Sequence, residues 1–382
     1  MKIGFDGKRA LRNMTGLGNY SRLVVESLAA SYHNLDLTLY SPRDCDSPRL
    51  EKIRKADNIH IRLPRKGESY LGGSVWRTYA LTNLLRGEGI QLFHGLSNEL
   101  PLNIRKAGIP AVLTMHDVIY RRMPDCYSVI DRAIYDFKYG HSCRNATRII
   151  AVSERTRQDV AELYHIPTDK IDVVYQGCDD SFRRHCTPQE IETAKRKYGV
   201  SGDYIIQVGS IEKRKNALLT VRALALLPAS LQLVLVGRRT PYLKDVMTEA
   251  AHLGIAGRIR LVEGASFADL PALYQGAQAA AYPSHYEGFG IPVLEALNSR
   301  IPCVAATGSC LEEAGGESTL YVSPDNPRDM ADALQAAIGK TGLRNSMIAK
   351  GLRHASRFSN ADIPARIMEV YRKAMEEYRT GR

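Results

Sequence analysis

Glu287 and Glu295 stand either side of a Gly288-Phe289-Gly290 turn, with seven residues between them, in "AAAYPSHYEGFGIPVLEALNSRIPCVAA" (279–306). A carboxylate only accepts hydrogen bonds, and its two oxygens can grip a vicinal diol such as a ribose. The glycines let backbone from Gly288 to Ile291 approach a ligand closely. Pro292 suits the first turn of a helix, where its missing N–H costs nothing. Glu295 then lies about one turn inside that helix, and Glu287 faces the same crevice from the loop. The positive end of a helix would explain Glu295 alone. It leaves the glycines and Glu287 without a reason.

Other stretches could carry chemistry beside this one. In "QVGSIEKRKNALL", Gly209 and Ser210 end an apolar run, and Lys213, Arg214 and Lys215 lead into a helix. Three cations before a helix N-terminus repel one another and oppose its dipole, and a bound diphosphate would offset both costs. In "VLTMHDVIY", His116 and Asp117 directly follow an apolar run, where an imidazole could bond a sugar hydroxyl or help an acceptor lose its proton. In "NMTGLGNYSRLVVESL", Gly16 and Gly18 precede a helix carrying Tyr20 and could admit an anion to its N-terminus. A dinucleotide fingerprint would need a third glycine where Ser21 stands. A tight turn is an equal reading of these glycines. "DCD" at 44–46 has the spelling of a metal-binding acidic pair but reads as a polar loop, and "TGSCLEEAGGES" reads as a turn.

The elements that must position these residues are short strands alternating with amphipathic helices. Seven strands are expected at 2–6, 35–40, 58–64, 90–95, 111–117, 148–153 and 171–177. Six more are expected at 204–210, 231–237, 258–264, 278–284, 302–306 and 319–323. Val/Ile-rich strands separated by helices imply parallel sheets covered on both faces. Two such series in 382 residues imply two doubly wound α/β domains, 1–180 and 181–360, with a polar seam near 178–190. A terminal helix is expected within 361–382. Ligands of open parallel sheets bind beyond the strands' carboxyl ends, where the residues above fall.

The composition narrows the class. No apolar run is long enough to span a bilayer, and the first ten residues do not read as a signal peptide. Seven scattered cysteines without a CxxC pair argue for a reducing compartment and against a zinc site. A cytoplasmic location is expected. The net charge of +11 is concentrated in the first third, with local runs at Arg49, Lys52, Arg54 and Lys55 and at Arg62, Arg65 and Lys66. Such a surplus is either a solvated face or attraction to an anionic membrane or phosphorylated acceptor. No nucleic-acid motif accompanies it, so no nucleic-acid partner is expected.

Taken together, "EGFGIPVLE", "GSIEKRKN", the "HD" after a strand and "TGLGNY" resemble, in order, the retaining glycosyltransferases of family 4 (group 1). The likeness extends to mannosyltransferases of bacterial surface-polysaccharide pathways. It implies the GT-B fold, two Rossmann-like domains with a nucleotide sugar bound in an interdomain cleft, and a C-terminal helix crossing back to the first domain. Residue by residue, Glu295 matches the ribose-binding acid and Glu287 the acid near the donor sugar. Lys215 and Arg214 match the cations facing the diphosphate, with Ser210 where some relatives place a further cation. His116 matches the histidine at the sugar site. Gly16 and Gly18 match a loop closing on the phosphates. With Gly288, Phe289, Gly290 and Ile291 these form the expected donor site, and Tyr20 and Asp117 the acceptor side. The implied reaction moves a hexose to a glycan or polyprenyl-diphosphate-linked acceptor without metal or cofactor; the likeness to mannosyltransferases favours GDP-mannose as donor over UDP-sugars, between which the ribose and diphosphate contacts do not distinguish. Peripheral association of the basic N-terminal domain with the inner membrane face is a further expectation. The same fold also suits a sugar-nucleotide epimerase or phosphorylase, and a non-catalytic glycan- or membrane-binding scaffold is the non-enzymatic reading.

Overall fold

A computed structural model describes residues 1–65 and 72–381. Lys66 of the basic run and Arg382 of the terminal segment lie outside the described residues. The chain divides into two compact units, Met1–Gln176 with Asn360–Arg382, and Gly177–Ser359.

The first unit carries a seven-stranded sheet: β1 (Lys2–Asp6), β2 (Asp36–Tyr40), β3 (Ile59–Arg62), β4 (Leu92–Gly95), β5 (Ala111–Met115), β6 (Arg148–Ala151) and β7 (Ile171–Val173). Its order is β3-β2-β1-β4-β5-β6-β7 and every pair is parallel. The second unit carries six: β8 (Tyr204–Val208), β9 (Gln232–Val236), β10 (Ile259–Val262), β11 (Ala279–Tyr282), β12 (Cys303–Ala306) and β13 (Leu320–Val322). Their order, β10-β9-β8-β11-β12-β13, is also wholly parallel. All four residues of β4, β6, β11 and β12 and all five of β5 are buried, as expected of strands covered on both faces. Each sheet reverses its strand order once, between β1 and β4 and between β8 and β11, and such switch points open crevices at the strands' carboxyl ends.

Several strands end earlier than the apolar runs suggest, and the reasons are local. β8 stops at Val208 because Gly209 turns the chain with φ +141°. β5 stops at Met115 because the His116 N–H leaves the ladder and donates to Asn98 Oδ1 at 2.7 Å.

The terminal helix Ile363–Thr380 packs within the first unit. The fully buried Tyr371 bonds His94 Nδ1 of β4 at 2.7 Å. His94 Nε2 meets Thr114 Oγ1 of β5 at 2.8 Å, and Thr114 meets the Tyr20 hydroxyl at 3.1 Å. Nearer the helix end, Arg148 joins Asp172 and Glu377, both at 2.6 Å, and Lys373 joins Asp172 at 3.0 Å. A buried polar chain is favourable only when every member is satisfied. Tyr371→Phe would leave one nitrogen of a fully buried imidazole without its partner. The expected loss is about 1–3 kcal/mol for the unit unfolding with the terminal helix, read from urea titration; an unchanged midpoint would show that the hydroxyl does not hold this helix.

Candidate active site

In the second unit the switch point gathers its residues from two strand ends. After β8, the 3₁₀ turn Lys213–Lys215 ends at Asn216, which takes a left-handed φ of +54° before the helix Ala217–Ala225 begins. The Asn216 side-chain amide donates to the carbonyls of Pro283 (3.2 Å) and Pro324 (2.7 Å), holding the turn against the segment after β11. The Lys215 stem crosses Gly209, where a Cβ would sit 2.9 Å from its Cδ. Glycine therefore lets the ammonium reach inward, a role the chain's other turn glycines do not share.

Glu287 meets these cations. Its Oε1 accepts from Lys215 Nζ at 2.9 Å and from the hydroxyls of Tyr282 and Ser284, both at 3.0 Å. Its Oε2 lies 2.6 Å from Arg214 Nη1. Arg214 also donates to the Tyr286 carbonyl at 2.8 Å, and Lys215 to the Tyr282 hydroxyl at 2.9 Å. Burial alone would raise the Glu287 carboxyl, but the charges of Arg214 and Lys215 outweigh it and hold the group at about 2. Burial likewise pulls the Lys215 ammonium down, and Glu287 more than reverses this, so Lys215 stays charged. The argument from three mutually repelling cations is thus corrected. Two of them share a buried carboxylate, because the chain folds Glu287 back onto them, and Lys213 is exposed.

Glu295 sits in the opposite environment. It lies in the helix Ile291–Asn298, entered through Gly290 at φ +130°. It is 8 % exposed, and among the described residues its side-chain partner is the Tyr274 hydroxyl at 2.9 Å. Burial raises its carboxyl to about 7, with the Tyr274 bond and the Lys215 charge opposing. The two glutamates of one motif are therefore held in different states, one ionised by paired charge and one poised near neutrality by desolvation. The loop between them is pinned from below, as the Cys310 thiol donates to the carbonyls of Glu287 (3.0 Å) and Phe289 (2.7 Å). The Phe289 ring is buried against Phe358, so any ligand contact it makes comes through its backbone. Gly288, Ile291 and Ser210 are half-buried.

In the first unit His116 is buried, and its ring nitrogen Nε2 lies 2.9 Å from the Leu96 carbonyl. A carbonyl can only accept, so Nε2 carries the proton. Burial lowers the imidazole to about 4, which leaves it neutral with Nδ1 as an acceptor. Tyr20 requires a correction. It is 3 % exposed, spends its hydroxyl on Thr114 and packs its ring edge-on against His116 at 4.7 Å, so it braces that imidazole and cannot present itself to an acceptor. Asp117 is half-buried and accepts from the Ile119 N–H at 3.2 Å. The two N-terminal glycines also part company. A Cβ at Gly18 would fall 1.6 Å from the Asn13 carbonyl oxygen, whereas Gly16 borders open space. Gly18 is required by packing and Gly16 is open to a ligand. Asp44 of the "DCD" stretch pairs with Arg54 at 2.9 Å, and no metal-holding cluster occurs among the described residues.

Sequence reasoning missed Tyr282, Ser284 and Tyr274. Tyr282 and Ser284 sit in the motif segment itself, and buried hydroxyls flanking an acid were the available signal. Tyr274 comes from a separate helix, Leu270–Gln275, and nothing in the sequence ties it to Glu295.

Two wholly parallel, doubly wound units define the GT-B class. The solved structure of Anabaena HepE in complex with UDP-glucose superposes with a TM-score of 0.77 at 17% identity, over 97% of this chain and 99% of that one. The lipopolysaccharide glycosyltransferase WaaG gives 0.72 at 17%, over 97% and 99%. At such identities the likeness establishes the fold. Residues 14–182 match the model "Glycosyltransferase Family 4" and residues 190–354 the model "Glycosyl transferases group 1". The O-antigen chain mannosyltransferase B of Escherichia coli is 28% identical across 97% of this chain and its own whole length. The O-antigen chain mannosyltransferase RfbU of Salmonella typhimurium is 26% identical over 58% of this chain and 59% of its own. The chain belongs to the family 4, group 1 glycosyltransferases.

Removing Glu287 leaves the half-buried Lys215 without its counter-charge and Arg214 with Glu212 at 3.6 Å. Glu287→Ala is expected to destabilise the second unit by about 3–5 kcal/mol at pH 7. Because the folded carboxyl lies below its unfolded value, the contribution is complete above about pH 4.5 and disappears as pH falls toward 2. Denaturant titration of wild type and variant at pH 7 and pH 3 checks this; a gap that fails to narrow at the lower pH would contradict the ion triad.

Proposed function

We propose that this glycosyltransferase moves mannose from GDP-mannose, with retention at the anomeric carbon and without a divalent metal. The acceptor is a glycan or a polyprenyl-diphosphate-linked glycan. One observation carries the donor site: Arg214 and Lys215, held by Glu287 at the switch point of the second sheet, with Glu295 in the helix that follows. Cleavage of the anomeric bond builds negative charge on the leaving nucleoside diphosphate. Charged groups fixed in place before that moment stabilise it without reorganising, usually the largest catalytic contribution. Lys215 supplies a point charge and Arg214 a fork suited to phosphate oxygens. Gly288–Ile291 provide backbone for the phosphates. Glu295 takes the ribose diol, whose hydroxyls donate to a carboxylate. Glu287 is saturated by four partners, which disfavours it as a nucleophile and supports a role in holding the cations and meeting a sugar hydroxyl. His116 offers Nδ1 to the transferred sugar. Mannose and the guanine nucleotide rest on the mannosyltransferase names of the relatives.

A membrane-side acceptor is supported by the helix Val129–Asn145. It exposes Val129, Ile130, Ile134 and Phe137, the first two more than 70 %. No described helix is long and apolar enough to cross a bilayer. We propose that this exposed apolar face lies on the anionic inner leaflet, to which the chain's basic surplus also draws it. Ile130→Ser/Phe137→Ser should reduce binding to vesicles containing phosphatidylglycerol severalfold in a flotation assay while leaving GDP affinity intact. Equal flotation would place the contact elsewhere.

The donor reading makes a proton-counting prediction. A ribose diol favours ionised Glu295, so GDP binding at pH 7 should release about half a proton, given a carboxyl near 7 in the free protein. Calorimetry in buffers of different ionisation enthalpy measures it. Glu295→Gln should abolish the release and weaken binding by about 1.5–3 kcal/mol, while Lys215→Ala should lower kcat by about a hundredfold or more. Tight GDP binding without proton release, unaffected by Glu295→Gln, would refute the assignment.

A further inference from the structure

The switch point of the first sheet holds charge that the donor chemistry does not use. The segments following β1, β4 and β5 bring Asp6 and Lys8, Asn98 and Glu99, and His116 to one end of the sheet. Both carboxylates there are engaged by a single buried cation, since Arg77 lies 2.6 Å from Asp6 and 2.5 Å from Glu99. Lys138 adds a further cation 3.6 Å from Glu99. Lys8 and Arg9, two and three residues beyond Asp6, are half-buried, and among the described residues neither has a carboxylate within ion-pair distance. Burial lowers the Lys8 ammonium, and the neighbouring Arg77 and Arg9 charges add to it, with Glu99 and Asp6 opposing. Arg9 also lies close enough to His116 to push its imidazole further down after burial has done so. The place is built rather than incidental. Asn98 takes a left-handed φ of +59°, which asparagine tolerates better than most residues, and in that state its amide oxygen accepts from the His116 N–H. Like charges kept half-buried and unpaired beside a constrained histidine cost stability that a bound anion would offset.

We propose that Lys8 and Arg9 bind a phosphate or diphosphate monoester of the acceptor, close to the hydroxyl that receives the sugar. The inference rests on the glycosyltransferase reading above, which gives the nucleotide to the second unit and leaves the first for the acceptor. The arginine fork matches two phosphate oxygens and the lysine adds a point charge. The shared chemistry admits two sources, a prenyl diphosphate and a phosphorylated soluble glycan.

The full chain, labelled for amide resonance measurements, is titrated with inorganic pyrophosphate and separately with geranyl diphosphate. Saturable shifts are expected at Gly7, Lys8, Arg9 and His116, with affinity at least tenfold weaker in Lys8→Gln/Arg9→Gln and retained in Lys215→Gln. Single Lys8→Gln and Arg9→Gln variants stand in if the double variant loses its dispersed spectrum. Tighter binding of geranyl diphosphate identifies the lipid-linked source, and equal binding identifies the soluble one. Silence of these amides, or shifts that survive the substitutions, overturns the inference. If Gly209, Lys215 and Gly288 respond meanwhile, the donor reading stands without it; if those alone are silent, the donor reading fails and the acceptor site stands.

Discussion

A carboxylate buried between two cations is the constraint on which the second unit's chemistry depends. Arg214 and Lys215 belong to a turn that could not hold them inward by itself, since burying either alone would cost several kcal/mol. Glu287 removes that penalty, and Tyr282 and Ser284 fill the rest of its oxygen. The charge left over is positive, fixed and part-shielded from water. That is the condition in which an electrostatic contact with a leaving diphosphate is strongest. Glu295 shares the motif but lacks cations at hydrogen-bond distance. Its carboxyl is governed by desolvation, with the Tyr274 hydroxyl as its hydrogen-bond partner.

The first unit solves a different problem with neutral groups. The relay from Tyr371 through His94 and Thr114 to Tyr20 contains no carboxylate or cation, so its desolvation cost is that of ordinary polar groups. It connects the terminal helix to the ring that braces His116. The imidazole is thereby fixed in one tautomer, with its proton on the nitrogen facing Leu96 and a lone pair on the other. A histidine so placed offers a hydrogen-bond acceptor and carries no charge near neutral pH. Lys8 and Arg9, half-buried near this neutral histidine, have no carboxylate within ion-pair distance among the described residues.

The sequence by itself determined the parallel, doubly wound architecture, because apolar runs of five to seven residues alternating with amphipathic helices have few other ways to bury both faces. All thirteen strands lie within the apolar runs expected of them. It also singled out candidate loops, because acids, cations and glycines cluster after the strand ends, where open parallel sheets bind ligands. Tertiary structure decided what each residue does. Lys215 and Glu287 are far apart in the chain, and only the adjacency of β8 and β11 turns a repelling run into a neutralised pair. Tyr20 reads as an exposed tyrosine near a glycine loop and folds as a core residue, because its helix rolls that face onto β5. Gly16 and Gly18 look alike in sequence, yet one faces space and the other a carbonyl. Spacing along a chain reports local geometry. Charge balance, burial and protonation depend on neighbours from other elements, and those are set only when the sheets close.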